Sequence, residues 1–319
     1  MTEVEIISGF LGAGKTTWIK KLLSEETTKK KIMLVENEFG QIGVDSGFLQ
    51  ETGVKITELN SGCICCTLVG DFIGALEKAV KEYQPELILI EPSGVGKLSD
   101  IIKAVKHTDK QANIKLSGSI TVVDAKKAKL YLRNFAEFFK NQISYANVII
   151  LSHTDKLGNE ELTEVMTLIK TLNTHANIVT TSWDSIKAQD VNALLNNSDL
   201  LLESMLRELE NSPLELHHHE DPDHPDADDV FSSWGVQAVN KYSQEELTNI
   251  LKAINSLPDF QGIIRAKGFL ASEGNKWLSF DYIPGEPDVQ ECLPQYTGKI
   301  CVIGTELPKD KLERLFGVK

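Results

Sequence analysis

The residues with the clearest chemistry lie in the first seventeen positions. Gly9-Phe10-Leu11-Gly12-Ala13-Gly14-Lys15-Thr16 fits the pattern G-x-x-x-x-G-K-[ST]. It follows a short apolar run over residues 5–8 and precedes helical spacing over 15–24, the strand–turn–helix context the pattern requires. Gly12 and Gly14 let the backbone turn tightly around Ala13, so that successive N–H groups face phosphate oxygens. The helix after the loop aims its unsatisfied N–H groups and positive dipole end at the same place. Lys15 is then a point charge on the β- and γ-phosphates and the first catalytic candidate. The Thr16 hydroxyl is a Mg²⁺ ligand, and Thr17 donates on the α-phosphate side.

A second acidic element suits the same chemistry. Leu87-Ile88-Leu89-Ile90-Glu91 is an apolar strand ending in a carboxylate, placed to orient Mg²⁺; Glu91 is the second catalytic candidate. Pro92-Ser93-Gly94 comes next, and the Gly94 N–H is a candidate sensor of the γ-phosphate. After the apolar run 148–151 comes Ser152-His153-Thr154-Asp155, where N-K-x-D loops hold a base. Asp155 offers an acceptor to the paired donors of guanine, which adenine lacks, so GTP is favoured over ATP. His153 stands where a lysine stem would pack on the base, and Ser152 replaces asparagine.

Gly62-Cys63-Ile64-Cys65-Cys66-Thr67 places three thiols within four residues. Thiolates suit Zn²⁺, Co²⁺ or Cu⁺ far better than Mg²⁺, and three protein ligands leave a fourth position open. Buried reduced cysteine and a redox pair at Cys65-Cys66 are the competing readings. Glu36-Asn37-Glu38-Phe39-Gly40 sits where a switch loop would lie; its carboxylates, Glu38 among them, are candidates for Mg²⁺ or the thiolate site, against a plain polar loop.

Those residues need a scaffold. Apolar runs at 32–35, 87–90, 120–123 and 148–151, with a more polar one at 178–181, read as strands buried on both faces. Helical spacing lies between them at 72–82, 126–142 and 160–173. The fold expected is α/β: a P-loop, doubly wound and mainly parallel sheet over residues 1–212. Within residues 213–229, the stretch 217–229 sets His217, His218, His219 and His224 among six acids, a tract that cannot bury a core face. It reads as a mobile linker that either captures a divalent cation or is merely solvated. Beyond it, strands at 231–239, 262–270, 277–283, 289–293 and 299–303, a capping box at Ser243-Gln244-Glu245-Glu246 and a last helix at 309–316 predict a smaller C-terminal α+β domain over 230–319.

Composition bounds the partners. The 319 residues carry a formal net charge of -13, which argues against a nucleic-acid partner. No stretch approaches the roughly 20 apolar residues of a membrane span. No secretory signal opens the sequence, and five cysteines with three clustered suit a reducing compartment, so a cytoplasmic location is expected.

Taken together, GFLGAGKTT, ENEFG, GCICCT and EPSG after an apolar strand resemble the CobW-type family of metallochaperone GTPases, relatives of the UreG and HypB proteins. The resemblance covers essentially the whole chain. It implies a GTPase whose C-x-C-C motif, matched by Cys63, Cys65 and Cys66, binds a transition metal near the nucleotide; members serve zinc, cobalt and iron enzymes, so the resemblance does not fix the metal, and zinc or cobalt is the expectation for three thiolates. It also implies hydrolysis coupled to delivery to a client metalloprotein; a nucleotide-dependent homo-oligomer is a separate expectation. The competing classes are a metal-buffering or sensing protein with structural nucleotide and a P-loop small-molecule kinase, which gives the cysteines no role.

Overall fold

The computed structural model describes residues 1–25, 31–37, 55–59, 69–196, 230–295 and 297–318, together with Leu202, Leu206 and Leu209. The chain divides into two compact units, each built on one sheet.

The first sheet has seven strands: β1 (Thr2–Gly9), β2 (Ile32–Asn37), β3 (Lys55–Leu59), β4 (Leu87–Glu91), β5 (Ile114–Asp124), β6 (Val148–Ser152) and β7 (Asn177–Val179). They run in the order β3-β2-β4-β1-β5-β6-β7, and every pairing is parallel. Both faces are covered, which explains the uninterrupted apolar runs. Along β1, Val4 and Ile6 enter one core while Ile7 enters the other. Along β4, Ile88 and Ile90 face the first core, and Leu87 and Leu89 the second. Helices α1 (Lys15–Glu25) and α7 (Ala188–Asn196) close one face through Trp18, Ile19, Leu22, Val191 and Leu195. Helices α2 (Val69–Tyr83) and α3 (Leu98–Ala112) close the other, α3 through Leu98, Ile101, Ile102 and Val105. Among the described residues, this unit also contains α4 (Ala128–Asn134), α5 (Ala136–Ser144) and α6 (Asn159–Leu172).

Two expectations need correction. The helix expected over 126–142 is two helices, broken at Phe135, whose φ of -136° and ψ of 43° leave the helical region. Helices α3 and α7 and strand β3 are additions to the expected elements, although 98, 101, 102 and 105 carry helical apolar spacing.

The second sheet is antiparallel throughout, in the order β11-β10-β9-β12-β8. Its strands are β8 (Ser232–Ala238), β9 (Ile263–Ala271), β10 (Trp277–Ile283), β11 (Glu286–Cys292) and β12 (Gly298–Gly304). One face packs on α8 (Gln244–Ser256) and α9 (Lys309–Leu315) through Leu247, Leu251, Phe280, Ile300 and Leu312. The capping box is present: Ser243 Oγ accepts from the Glu246 N–H at 3.1 Å, and Glu246 Oε2 accepts from the Ser243 N–H at 2.8 Å. The Ser243 N–H first, and the Ser243 hydroxyl second, hold the Glu246 carboxyl below its usual range. Among the described residues, no helix is long and apolar enough to cross a membrane.

Candidate functional site: a phosphate loop at the strand switch point

Strand β1 lies where the strand order reverses, with β4 on one side and β5 on the other. In open parallel sheets the crevice beyond the strand ends at such a point is where ligands bind. The chain leaves β1 through Gly9, at φ +145°, where a Cβ would lie 2.3 Å from the Val122 carbonyl oxygen. Gly14 has φ +103°, and a Cβ there would meet the Trp183 ring at 3.0 Å. Side chains at either position would strain the backbone as well as collide. Helix α1 begins immediately, with the Trp18 N–H bonded to the Gly14 carbonyl at 2.9 Å.

Lys15 is buried, and its Nζ lies 3.5 Å from the Phe10 carbonyl oxygen, the outer limit of a hydrogen bond. Thr16 Oγ1 donates toward the Glu91 carboxylate, at 3.1 Å from Oε1 and 3.3 Å from Oε2. The hydroxyl and carboxylate singled out as Mg²⁺ groups therefore converge, from α1 and from the end of β4. Glu36 sits directly opposite Glu91 in the β2–β4 register, and both are buried. Two buried carboxylates on neighbouring strands are a costly arrangement that a cation between them would relieve. The donor set, a hydroxyl with hard carboxylate oxygens, fits Mg²⁺.

His153 and Asp155 lie at the same edge, in the turn after β6. His153 adopts a left-handed conformation at φ 57°, and Asp155, in the short 3₁₀ turn Thr154–Lys156, is exposed. Ser152 does not face outward as a recognition residue would: it is buried, its Oγ 3.4 Å from the Val123 carbonyl oxygen. Trp183 ties the two loops together, its ring beside Gly14 and its indole N–H bonded to the Leu151 carbonyl at 2.9 Å.

Several groups at this edge go beyond the residues the sequence singles out. Asp124 ends β5 as Glu91 ends β4, and the same signal, an apolar strand closing on an acid, would have found it. Its Oδ1 accepts from the Lys126 and Lys127 N–H groups at 2.9 and 3.3 Å. Its Oδ2 has no hydrogen-bond partner among the described residues, with His153 Nε2 4.0 Å away. Phe10 packs on Tyr131 and Phe135, ring centroids 4.5 and 5.2 Å apart, and so seats the loop on α4 and the α4–α5 junction.

Cys63, Cys65, Cys66 and Glu38 lie outside the described residues, as do Gly40 and the histidines of 217–224. Among the described residues, no group of three or more His, Cys, Asp and Glu is arranged to hold a metal ion.

Comparison with known proteins adds an independent line. The family described as "CobW/HypB/UreG, nucleotide-binding domain" matches residues 3–180, and the "Cobalamin synthesis protein cobW C-terminal domain" matches 231–318. A zinc chaperone CobW from Sinorhizobium sp is 29% identical over 300 residues, covering 83% of this chain and 80% of that protein. A zinc chaperone CobW from Pseudomonas aeruginosa is 27% identical over 332 residues, covering 93% and 80%. The zinc chaperone YjiA of Escherichia coli is 31% identical over 206 residues, covering 63% of each chain.

Proposed function

The chain belongs to the CobW/HypB/UreG family of nucleotide-binding proteins, and from that premise we propose that it is a metallochaperone whose GTP hydrolysis is coupled to handing a transition metal ion to a client metalloprotein. As a member of this family it is a P-loop GTPase. The observation that carries the nucleotide half is the convergence of Thr16 on Glu91 beside the phosphate loop, with Glu36 buried alongside. Mg²⁺ supplies charge neutralisation between the β- and γ-phosphates when bound; Thr16 and Glu91 would hold it, with Glu36 beside them. The loop from Gly12 to Gly14 cradles the phosphates, Lys15 places its ammonium on them, and Thr17 donates on the α-phosphate side. Asp155 accepts from guanine, with His153 against the base. These roles account for burying a lysine and two carboxylates at one sheet edge, which stability alone would disfavour.

The metal half rests on Cys63, Cys65 and Cys66, with Glu38 as a further candidate ligand. Three thiolates suit zinc or cobalt, and the relatives' names favour zinc. In this reading residues 1–212 carry the nucleotide, 213–229 form the acidic linker and 230–319 meet the client. A loop ordered by the γ-phosphate would gather the thiolates, and its release after hydrolysis would let them part. Linkage then requires the metal to tighten GTP binding by the factor GTP tightens metal binding. The test is competition titration of Zn²⁺ and Co²⁺ against a chromogenic chelator, with the reduced protein bound to GDP or to a non-hydrolysable GTP analogue. Metal affinity about tenfold higher in the GTP-analogue form is expected. Equal affinity in the two forms would favour a metal-buffering protein in which nucleotide is structural.

A further inference from the structure

Helix α5 presents one side chain that neither the phosphate loop nor the base loop explains. Gln142 is fully buried, and its Nε2 donates to two carbonyls of the loop after Glu91: Gly94 at 3.0 Å and Gly96 at 2.9 Å. The orientation of the amide is unambiguous, because an oxygen turned toward two carbonyl oxygens would be repelled. The same loop is closed on its other side by the Gly96 N–H bonded to the Ser93 carbonyl at 3.0 Å. Two more residues of α5 secure the chain from Lys97 to Ser99. Asn141 Oδ1 accepts from the Ser99 N–H at 3.1 Å, and Glu137 pairs with Lys97 at 2.6 Å.

The loop so held touches the phosphate site. A Cβ on Gly94 would lie 2.7 Å from Leu11 Cδ2 and 2.9 Å from the Leu11 backbone nitrogen, so Gly94 is pressed against the phosphate loop itself. Helix α4 grips the other partner of that contact, the Tyr131 hydroxyl lying 3.4 Å from the Leu11 carbonyl oxygen. One further atom separates Gln142 from a packing residue. Its Oε1 is buried and has no hydrogen-bond partner among the described residues. A buried acceptor left unsatisfied is a standing cost that an apolar side chain of the same size would avoid.

We propose that Gln142 is a positioning residue for GTP hydrolysis: it clamps the Gly94–Gly96 turn against the phosphate loop, so that this turn meets the γ-phosphate already in place. When the turn shifts, its carbonyls leave Nε2, and an N–H turned toward α5 finds an acceptor waiting at Oε1. The two faces of one amide thus serve two settings of the loop. This rests on the reading that the chain hydrolyses GTP at the Gly9–Thr16 loop.

The test uses Gln142→Met, which keeps the volume and removes both donors, and Gln142→Asn, which keeps the amide one methylene short of the turn. Circular dichroism and thermal melts establish which variants are folded. Single-turnover GTP hydrolysis is expected to fall about tenfold to a hundredfold, as misplacement away from the reacting atoms does. GDP affinity should stay within about threefold of wild type, since GDP lacks the phosphate the turn meets. A folded variant that hydrolyses GTP at the wild-type rate overturns the proposal, and so does one that loses GDP and GTP equally. Hydrogen exchange on the wild-type protein provides a check that needs no variant. Exchange over 93–97 should slow when a GTP analogue replaces GDP, and identical exchange overturns the proposal. Failure of the wild-type protein itself to hydrolyse GTP would instead sink the functional reading beneath it.

Discussion

At the carboxyl edge of the parallel sheet, polar groups are buried together: Lys15, Glu36, Glu91 and Asp124 all lie beneath the surface within a few residues of a strand end. Asp124 Oδ2 and Gln142 Oε1 lack hydrogen-bond partners there among the described residues. The antiparallel unit keeps most of its ion pairs toward the surface, with Lys267 on β9 a buried exception. Lys276 pairs with Glu291 and Lys311 with Asp259, each at 2.6 Å and with every side chain more than half exposed. Arg265 donates from Nε and Nη2 to Asp281 Oδ1 and Oδ2, at 3.2 and 2.8 Å. The contrast separates a region built for stability from one built for a ligand. Exposed pairs contribute little but cost little, whereas buried incomplete polar groups are retained where something else completes them.

That contrast can be broken by mutation. The largest effect is expected from Lys15→Ala, because removing one partner of a buried charge contact costs about 3 kcal/mol, roughly a hundredfold in affinity. Isothermal titration with GDP and GTP should show that loss while the melting temperature holds. Undiminished affinity would mean the buried lysine serves the fold and not a phosphate. Gly9→Ala comes next and acts on stability: a Cβ 2.3 Å from the Val122 carbonyl at φ +145° should cost about 2–3 kcal/mol. Urea denaturation measures it, and a loss under about 0.5 kcal/mol would show that the strand exit relaxes freely.

Asp155→Asn should weaken GTP binding about tenfold, since a donor then faces the donors of guanine. ATP binding should be unmoved, and a wild type that binds ATP as tightly as GTP would remove the basis for this role. The smallest effect lies in the other region. Ser243→Ala removes a helix cap at about 1 kcal/mol, with no change in nucleotide affinity. The cap also carries a pH signature. The Glu246 carboxyl is held below its ordinary value of 4.5 by the Ser243 N–H first and the Ser243 hydroxyl second, so its contribution is present above that value. It is lost as pH falls through the lowered one. Wild type and Glu246→Gln should therefore converge in melting temperature in acid, and a constant gap down to pH about 3 would refute the carboxylate's part.

Legibility in the sequence divides along the same line. The P-loop, the acid-ended strand at Glu91 and the Ser243 box are legible because each is local: a few neighbouring residues specify the turn, the strand end or the cap. Buried strands are legible because Leu87-Ile88-Leu89-Ile90 must be apolar when both faces are covered. Gln142 is not, because nothing in its own helix says that its amide meets Gly94 and Gly96, some 46 to 48 positions earlier. Trp183 beside Gly14 is illegible for the same reason. The break at Phe135 is hidden because its cause is tertiary, the ring stacking on Phe10 instead of continuing a helical surface.

The pairing of Gly9 with Val122 has a consequence in time. Strand β1 is made before its neighbours β4 and β5, which are synthesised only some 80 to 110 residues later. Parallel pairings so distant must close long loops before any contact rewards them, and they form slowly. At a synthesis rate of about 5–20 residues per second, the nascent chain carries its phosphate motif for several seconds with no sheet edge to hold it. Ligand binding at this loop therefore waits on the chain having passed residue 124, and a ribosome-bound chain stalled before β5 should not retain GDP.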